Sequence, residues 1–172
     1  MKDITYFGDC RSTLPKITEK CRMCVTSPPY YGLRNYGDEK DQIGHENSPE
    51  EYIQTLVEIF RVVRETLTDD GTLWVNMGDS YYNYRPGKGQ ALVKQSVSKN
   101  DQDLPQLCSR RGNKLKGYKE KDLIGIPWML AFALRADGWY LRQDIIWHKP
   151  NPMPESVKDR CTKSHEYLFL LS

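Results

Sequence analysis

At 172 residues, with 38% hydrophobic, 28% charged and 11% aromatic content, the chain has the composition of one globular domain with a packed core, not of a disordered or fibrous protein. It contains no apolar run of about 18 residues and no charged-then-apolar leader at Met1-Lys2-Asp3-Ile4, so neither a membrane span nor a signal peptide is expected and the cytoplasm is the default compartment. Five cysteines without dense regular spacing exclude a disulfide scaffold, and the net charge of +2 hides a segregation: ten basic against three acidic residues lie between Asn83 and Lys121, a local +7 that leaves −5 elsewhere.

In chain order, Ile4 to Phe7 is a short β-rich run closed by Gly8-Asp9, and Met23 to Thr26 is a second, closed by Ser27-Pro28-Pro29. Between them, Ser12 to Lys20 holds a helical turn with Leu14 and Ile17 three apart. Ser48-Pro49-Glu50-Glu51 is a capping box with proline at the first helical position. It leads into Tyr52, Ile53, Leu56, Val57, Phe60, Val63 and Leu67 at helical spacing, with a stop at Asp69-Asp70-Gly71. Thr72 to Met77 reads as a strand ending at Gly78-Asp79. Pro127 to Arg135 has the apolar content of a buried helix stopped by Gly138, and Tyr140 to Trp147 alternates as a strand. Pro150, Pro152 and Pro154 forbid regular structure, and Tyr167 to Leu171 is a last β-type run. The alternation predicts the α/β class: a sheet with helices on both faces, one domain over residues 1–172, and a basic insertion at about 83–121.

Open α/β sheets bind ligands outside the carboxyl ends of their strands, which singles out Asp9, Ser27 to Tyr31, Asp79 and His148 to Pro154. Thr26-Ser27-Pro28-Pro29-Tyr30 joins a hydroxyl, two residues without a backbone N–H, and an aromatic ring. Carbonyls and the Ser27 hydroxyl can therefore face a ligand amino group while Tyr30 offers a stacking surface. The same composition also fits a proline-rich turn. Asp79 fits a ligand contact or a turn cap equally. His148 and His165, flanking a proline-rich loop, read as structural histidines and not as a general-base pair. Cys21 and Cys24 form a lone C-x-x-C with no second paired spacing, so no metal site is expected, and Cys24 reads as a small core residue. In the basic stretch, Arg85, Lys88, Arg110, Arg111, Lys114 and Lys116 suit a loop that tracks nucleic-acid phosphates, with a merely solvated loop as the alternative.

The segment Ser27-Pro28-Pro29-Tyr30 resembles the catalytic motif of DNA amino-methyltransferases, Asp/Asn/Ser-Pro-Pro-Tyr/Phe. Tyr6-Phe7-Gly8-Asp9-Cys10 resembles that family's short Gly-Asp segment, in the order of the permuted class that begins with its catalytic half. Gly71 to Asn76, Gly138-Trp139-Tyr140 and Ile146 to Asn151 look like later segments of the same class, so the resemblance runs from about Ile4 to Leu170. It implies a Rossmann-like sheet, S-adenosylmethionine as methyl donor, and a flipped-out DNA base as substrate. Catalysis would fall to Ser27, Pro28, Pro29 and Tyr30, cofactor contacts to Asp9, Cys10, Thr26 and Ser27, and DNA contacts to the basic residues named above together with His148. The serine form of the motif is usual for cytosine N4 and the aspartate form for adenine N6, so cytosine is the expected base and adenine the alternative.

The Gly-rich cofactor turn of such enzymes is not found. In the permuted class it follows the catalytic half together with the target-recognition region, so the sheet is expected to be incomplete here. A homodimer or a complementary chain carrying that half is the expected partner, with Leu168 to Leu171 as an apolar edge open to pairing. A non-catalytic DNA-binding fragment, and a methyltransferase acting on RNA or on protein amide nitrogen, are the rival readings.

Overall fold

The computed structural model describes residues 4–33, 42–82 and 115–172. A one-turn helix α1 (Cys10–Thr13) runs into a 3-10 turn over Leu14–Lys16, followed by β1 (Cys21–Thr26), α2 (Pro49–Thr66), β2 (Leu67–Met77), α3 (Ile126–Ala136), β3 (Leu141–His148) and β4 (His165–Leu171). Helix α2 forms where its capping box predicts: the Ser48 hydroxyl accepts from the Glu51 amide at 3.1 Å, Pro49 opens the first turn, and the Glu51 carboxylate accepts from the Asn47 amide at 3.1 Å. Its apolar stripe from Tyr52 to Val63 is buried.

The four strands form one mixed sheet in the order β1-β2-β4-β3. Strand β1 runs parallel to β2, while β4 lies antiparallel between β2 and β3. Register sorts the side chains onto two faces. Leu73, Val75 and Met77 of β2 share a face with Phe169 and Leu171 of β4, and all five are buried against α2 and α3. The opposite face carries Met23, Val25, Trp74, Leu168, Leu170, Ile145 and Trp147, of which Val25 is 66% exposed and Trp147 is 54% exposed. No helix of the described residues is long and apolar enough to cross a membrane.

The α/β class and the strand-helix-strand alternation stand as expected, with four adjustments. Residues 4–7 form no strand and lie exposed, Phe7 at 90%, because an apolar run becomes a strand only where it finds a ladder and this one has none among the described residues. Helix α2 stops at Thr66, before the Asp69-Asp70-Gly71 signal: Leu67 is already extended and buried as the first residue of β2, and residues 68–71 form an irregular excursion where Cys21 to Met23 faces Leu67 to Thr72. Strand β4 is an interior strand and not an open edge, since Leu168 to Leu171 pair with β2 on one side and with β3 on the other. The outer strands are β1 and β3. Of the described helices, α2 and α3 pack together on the Leu73–Val75–Met77 face, so the helical cover expected on both faces is present on one.

Leu73 sits at the centre of this core with no exposed surface. Replacing it with alanine is expected to remove about 3 kcal/mol of folding free energy through lost transfer and a residual cavity. A urea unfolding midpoint that moves by less than the equivalent of about 1 kcal/mol would show that the core has been misplaced.

Candidate active site

The parallel pairing of β1 with β2 and the antiparallel insertion of β4 bring the carboxyl ends of β1, β2 and β3 to one edge of the sheet, beside the start of β4. Ser27 to Tyr30, Gly78-Asp79, His148-Lys149 and Glu166 meet there. Ser27 is exposed, Pro28 buried, and Pro29 and Tyr30 half-buried.

Two prolines give this loop two positions without a donor, so other groups hold it. The hydroxyl of the fully buried Tyr52 on α2 donates to the Pro29 carbonyl at 2.8 Å. The Leu33 amide reaches the Tyr30 carbonyl at 3.3 Å, and the Ser80 hydroxyl donates to the Tyr31 carbonyl at 3.1 Å. Burial pushes the Tyr52 phenol well above its usual range, which keeps it a neutral donor. The Pro28 carbonyl has no donor among the described residues.

Tyr30 lies across Gly78. A Cβ built on Gly78 would stand 2.6 Å from Tyr30 Cε2, so only glycine lets the ring settle. Beyond the ring, the Tyr30 hydroxyl donates to Glu166 Oε2 at 3.0 Å and accepts from Asn76 Nδ2 at 3.1 Å and from the Ser27 hydroxyl at 3.5 Å. Asn76 Nδ2 also donates to Glu166 Oε2 at 3.0 Å, and Lys149 Nζ pairs with Glu166 Oε1. Burial works to raise the Glu166 pKa, but the hydrogen bonds from Lys149, Asn76 and Tyr30 and the lysine charge outweigh it, and the carboxyl is held below its ordinary range. Burial, offset in part by Ser27 and reinforced by the charge of Glu166, raises the Tyr30 phenol.

Asp79 is settled as a cap. Its carboxylate accepts from the amides of Ser80, Gly125 and Ile126 at 2.8, 3.0 and 3.0 Å, and so replaces the side-chain cap that Gly125, at φ +86°, cannot supply to α3. Lys163 Nζ reaches the Asp79 carbonyl at 3.3 Å, and burial pulls its pKa down. Asp9 caps α1: its carboxylate accepts from the Arg11 amide at 2.8 Å and from the Arg11 guanidinium, which lowers its pKa, yet it remains exposed. Cys10 and Thr26 are half-buried.

Of the basic residues proposed from the sequence, Arg85, Lys88, Arg110, Arg111 and Lys114 lie outside the described residues, while Lys116 and His148 are exposed. The two ends of that segment are tied together at the site edge: the Leu115 amide donates to the Tyr82 hydroxyl at 3.0 Å, and the Tyr82 and Tyr118 rings are 5.9 Å apart. His148 and His165, distant in sequence, are cross-strand partners, and His165 sits edge-on to Tyr167 at 5.2 Å. Glu166, Asn76 and Gly78 carry the geometry of the site without having been assigned roles in it from sequence. The available signal was the placement of a carboxylate at the head of an apolar strand.

A family model described as DNA methylase, covering N6- and N4-type enzymes, matches residues 21–172. The type II methyltransferase M.SmaI of Serratia marcescens is 52% identical over 166 residues, 96% of this chain and 54% of that protein. M.Cfr9I of Citrobacter freundii is 51% identical over 168 residues, 97% of this chain and 53% of its own length. The chain thus spans about half the length of the curated relatives it matches. Among solved structures, the PvuII DNA methyltransferase (cytosine-N4-specific) superposes with a TM-score of 0.60 at 16% identity, over 97% of this chain and 48% of its own. A putative DNA modification methylase of Thermus thermophilus, solved with S-adenosyl-L-methionine, gives 0.60 at 21% identity over 95% and 50%. These two likenesses establish the fold.

Two outcomes follow from the geometry. Gly78→Ala is expected to cost about 2 kcal/mol by expelling the Tyr30 ring; in a Tyr30→Ala background the same change should cost under about 0.5 kcal/mol, read by urea unfolding. Because the folded Glu166 pKa is depressed, its contribution to stability is complete above the unfolded value of about 4.3 and is lost as pH falls through the lower folded value. The stability difference between wild type and Glu166→Gln should therefore be largest near pH 7 and shrink toward pH 3, and a difference that is flat across this range would contradict the assignment.

Proposed function

This chain belongs to the N6/N4-type DNA methylase family, and from that premise we propose that it forms the catalytic half of an enzyme methylating the exocyclic N4 of cytosine in DNA. The observation that carries the reading is the pairing of an exposed Ser27 hydroxyl with a Pro28 carbonyl that no described donor satisfies, both on a loop anchored by Tyr52. These are two acceptors in fixed positions and without charge, which suits an amino group with two hydrogens.

An exocyclic amino nitrogen is a poor nucleophile because its lone pair is delocalised into the ring. Ser27 Oγ and the Pro28 carbonyl, by accepting its hydrogens, localise that lone pair and aim it. The base must leave the duplex to reach them, and the half-buried Tyr30 ring borders the space that receives it. Neither acceptor titrates, so the acceleration comes from orientation and preorganised electrostatics.

S-adenosylmethionine, when bound, supplies an electrophilic methyl group on a sulfonium sulfur. The exposed Asp9 carboxylate, held in place by Arg11, and the Ser27 hydroxyl at the end of β1 are suited to its polar groups, and Cys10 and Thr26 are the neighbouring contacts. The Gly-rich turn that completes such a site is assigned to sequence beyond this half or to a complementary chain, in keeping with relatives about twice as long. The domain assignment is a catalytic half over residues 1–172, with the segment from Asn83 to Lys121 as a basic insertion at the site edge. Arg85, Lys88, Arg110, Arg111, Lys114, Lys116 and His148 are assigned to phosphates, which gives salt-dependent and largely sequence-blind affinity. The identity to type II methyltransferases favours a place in restriction and modification.

Adenine N6 is the second reading, favoured only by the breadth of the family model. Transfer of labelled methyl from S-adenosylmethionine to mixed-sequence DNA, followed by nucleoside analysis, separates the two. Label in N4-methylcytosine, lowered at least about 100-fold by Ser27→Ala, is expected. Label in N6-methyladenine would move the assignment to adenine, and DNA binding without transfer would mark the chain as a non-catalytic fragment.

A further inference from the structure

We infer that Tyr30 and Glu166 are positioning residues that fix the polarity of the Ser27 hydroxyl, so that it faces its ligand only as a hydrogen-bond acceptor. The inference deepens the proposed function and rests on it for what that acceptor meets.

A serine hydroxyl has one proton and two lone pairs, and nothing in its own chemistry decides which of them faces a ligand. A proton turned toward the substrate nitrogen would compete for the lone pair that has to attack. In this protein the choice is made 136 residues along the chain from Tyr30. Glu166 receives Lys149 on Oε1 and both Tyr30 and Asn76 on Oε2, and an ionised carboxylate can only accept. The single Tyr30 proton is therefore committed to Glu166 at 3.0 Å. Asn76 Nδ2, at 3.1 Å, is a second donor on the Tyr30 oxygen, in keeping with an oxygen that serves its other neighbours as an acceptor. The contact between Ser27 and Tyr30 at 3.5 Å can then run only one way, with Ser27 as the donor. With its proton spent on Tyr30, the exposed Ser27 hydroxyl presents lone pairs to solvent and to any ligand.

The direction of the chain is built into the fold at both ends. Gly78 lets the Tyr30 ring lie close enough for its hydroxyl to reach β4, and the β2–β4 pairing that sets Asn76 opposite Leu168 places Glu166, two residues earlier in β4, on that same face. Lys149, on the segment leaving β3, closes the far side of the carboxylate.

Two measurements on the protein test this. With 13C-labelled tyrosine and Tyr30→Phe to assign the resonance, the Tyr30 Cζ signal is followed against pH. Ser27→Ala, which removes a donor to the phenol oxygen, should delay Tyr30 ionisation, and Glu166→Gln, which removes a negative acceptor, should advance it. A Ser27→Ala protein in which Tyr30 titrates as in wild type would overturn the hydrogen-bond chain, whether or not the enzyme transfers methyl groups. In methyl transfer, Tyr30→Phe keeps the ring and should lower kcat about tenfold with KM within about twofold. In a Ser27→Ala background the same change should have almost no further effect, because the hydroxyl it orients is gone. Equal losses in both backgrounds, with unfolding midpoints unchanged, would assign Tyr30 an independent role and overturn the inference. Absence of transfer by wild type to any base would instead remove the proposed function, and the titration alone would decide the chain.

Discussion

Two consecutive prolines at the end of a strand set the constraint around which the site is arranged. Pro28 and Pro29 have no amide hydrogens to give, so the turn hydrogen bonds that need a donor at those two positions are lost. The loop's carbonyls are held by Tyr52 from the helix after it, by the Leu33 amide in a turn of the same loop, and by Ser80 beyond β2. Two groups from other elements thus converge on the loop, which adds one turn hydrogen bond of its own. That leaves the exposed Ser27 hydroxyl and the Pro28 carbonyl as the loop's remaining acceptors, the latter without a donor among the described residues.

Charge is kept one step away from these acceptors. The carboxylate at the site edge is Glu166, and it is neutralised by Lys149 and shared with two neutral donors. The other carboxylate at the strand ends, Asp79, is absorbed into the amides that open α3. A bare carboxylate beside an amino group would accept its hydrogens more strongly but would also demand solvation that a closed pocket withdraws. On the proposed function a neutral hydroxyl does the accepting, while the formal charge of Glu166 stays behind it, held by Lys149, Tyr30 and Asn76.

Much of this was legible in the sequence, for identifiable reasons. Helix α2 was marked by a side-chain cap and a continuous apolar stripe, which are local signals that tertiary contacts reinforce. The Ser-Pro-Pro-Tyr loop was legible because its chemistry is compressed into adjacent residues. What sequence concealed is what pairing alone decides. Tyr167 to Leu171 was recognisable as a strand, but whether it lies at an edge or in the middle depends on partners far along the chain, such as Met77 for Tyr167 and Asn76 for Leu168. Glu166 was hidden for the same reason, since a carboxylate before an apolar run looks like a solvated strand end until Tyr30 and Asn76 are seen beside it. Residues 4–7 erred in the opposite direction: their apolar content reads as a strand, but no ladder among the described residues takes them up.

The placement of β4 also has a kinetic consequence. Strands β2 and β3 are not neighbours; they are joined through β4, which is the last of the four to be synthesised. Until His165–Leu171 inserts, β1, α2 and β2 can form one parallel crossover unit, while β3 is a strand without a ladder. The late strand closes pairings of long sequence separation, a step that is slow because its loop entropy is lost before its contacts are gained. Glu166 travels on that strand. An incompletely folded chain could display the Ser-Pro-Pro-Tyr loop, yet would lack the carboxylate that accepts the Tyr30 hydroxyl, so the Tyr30 network and the sheet are completed in the same event.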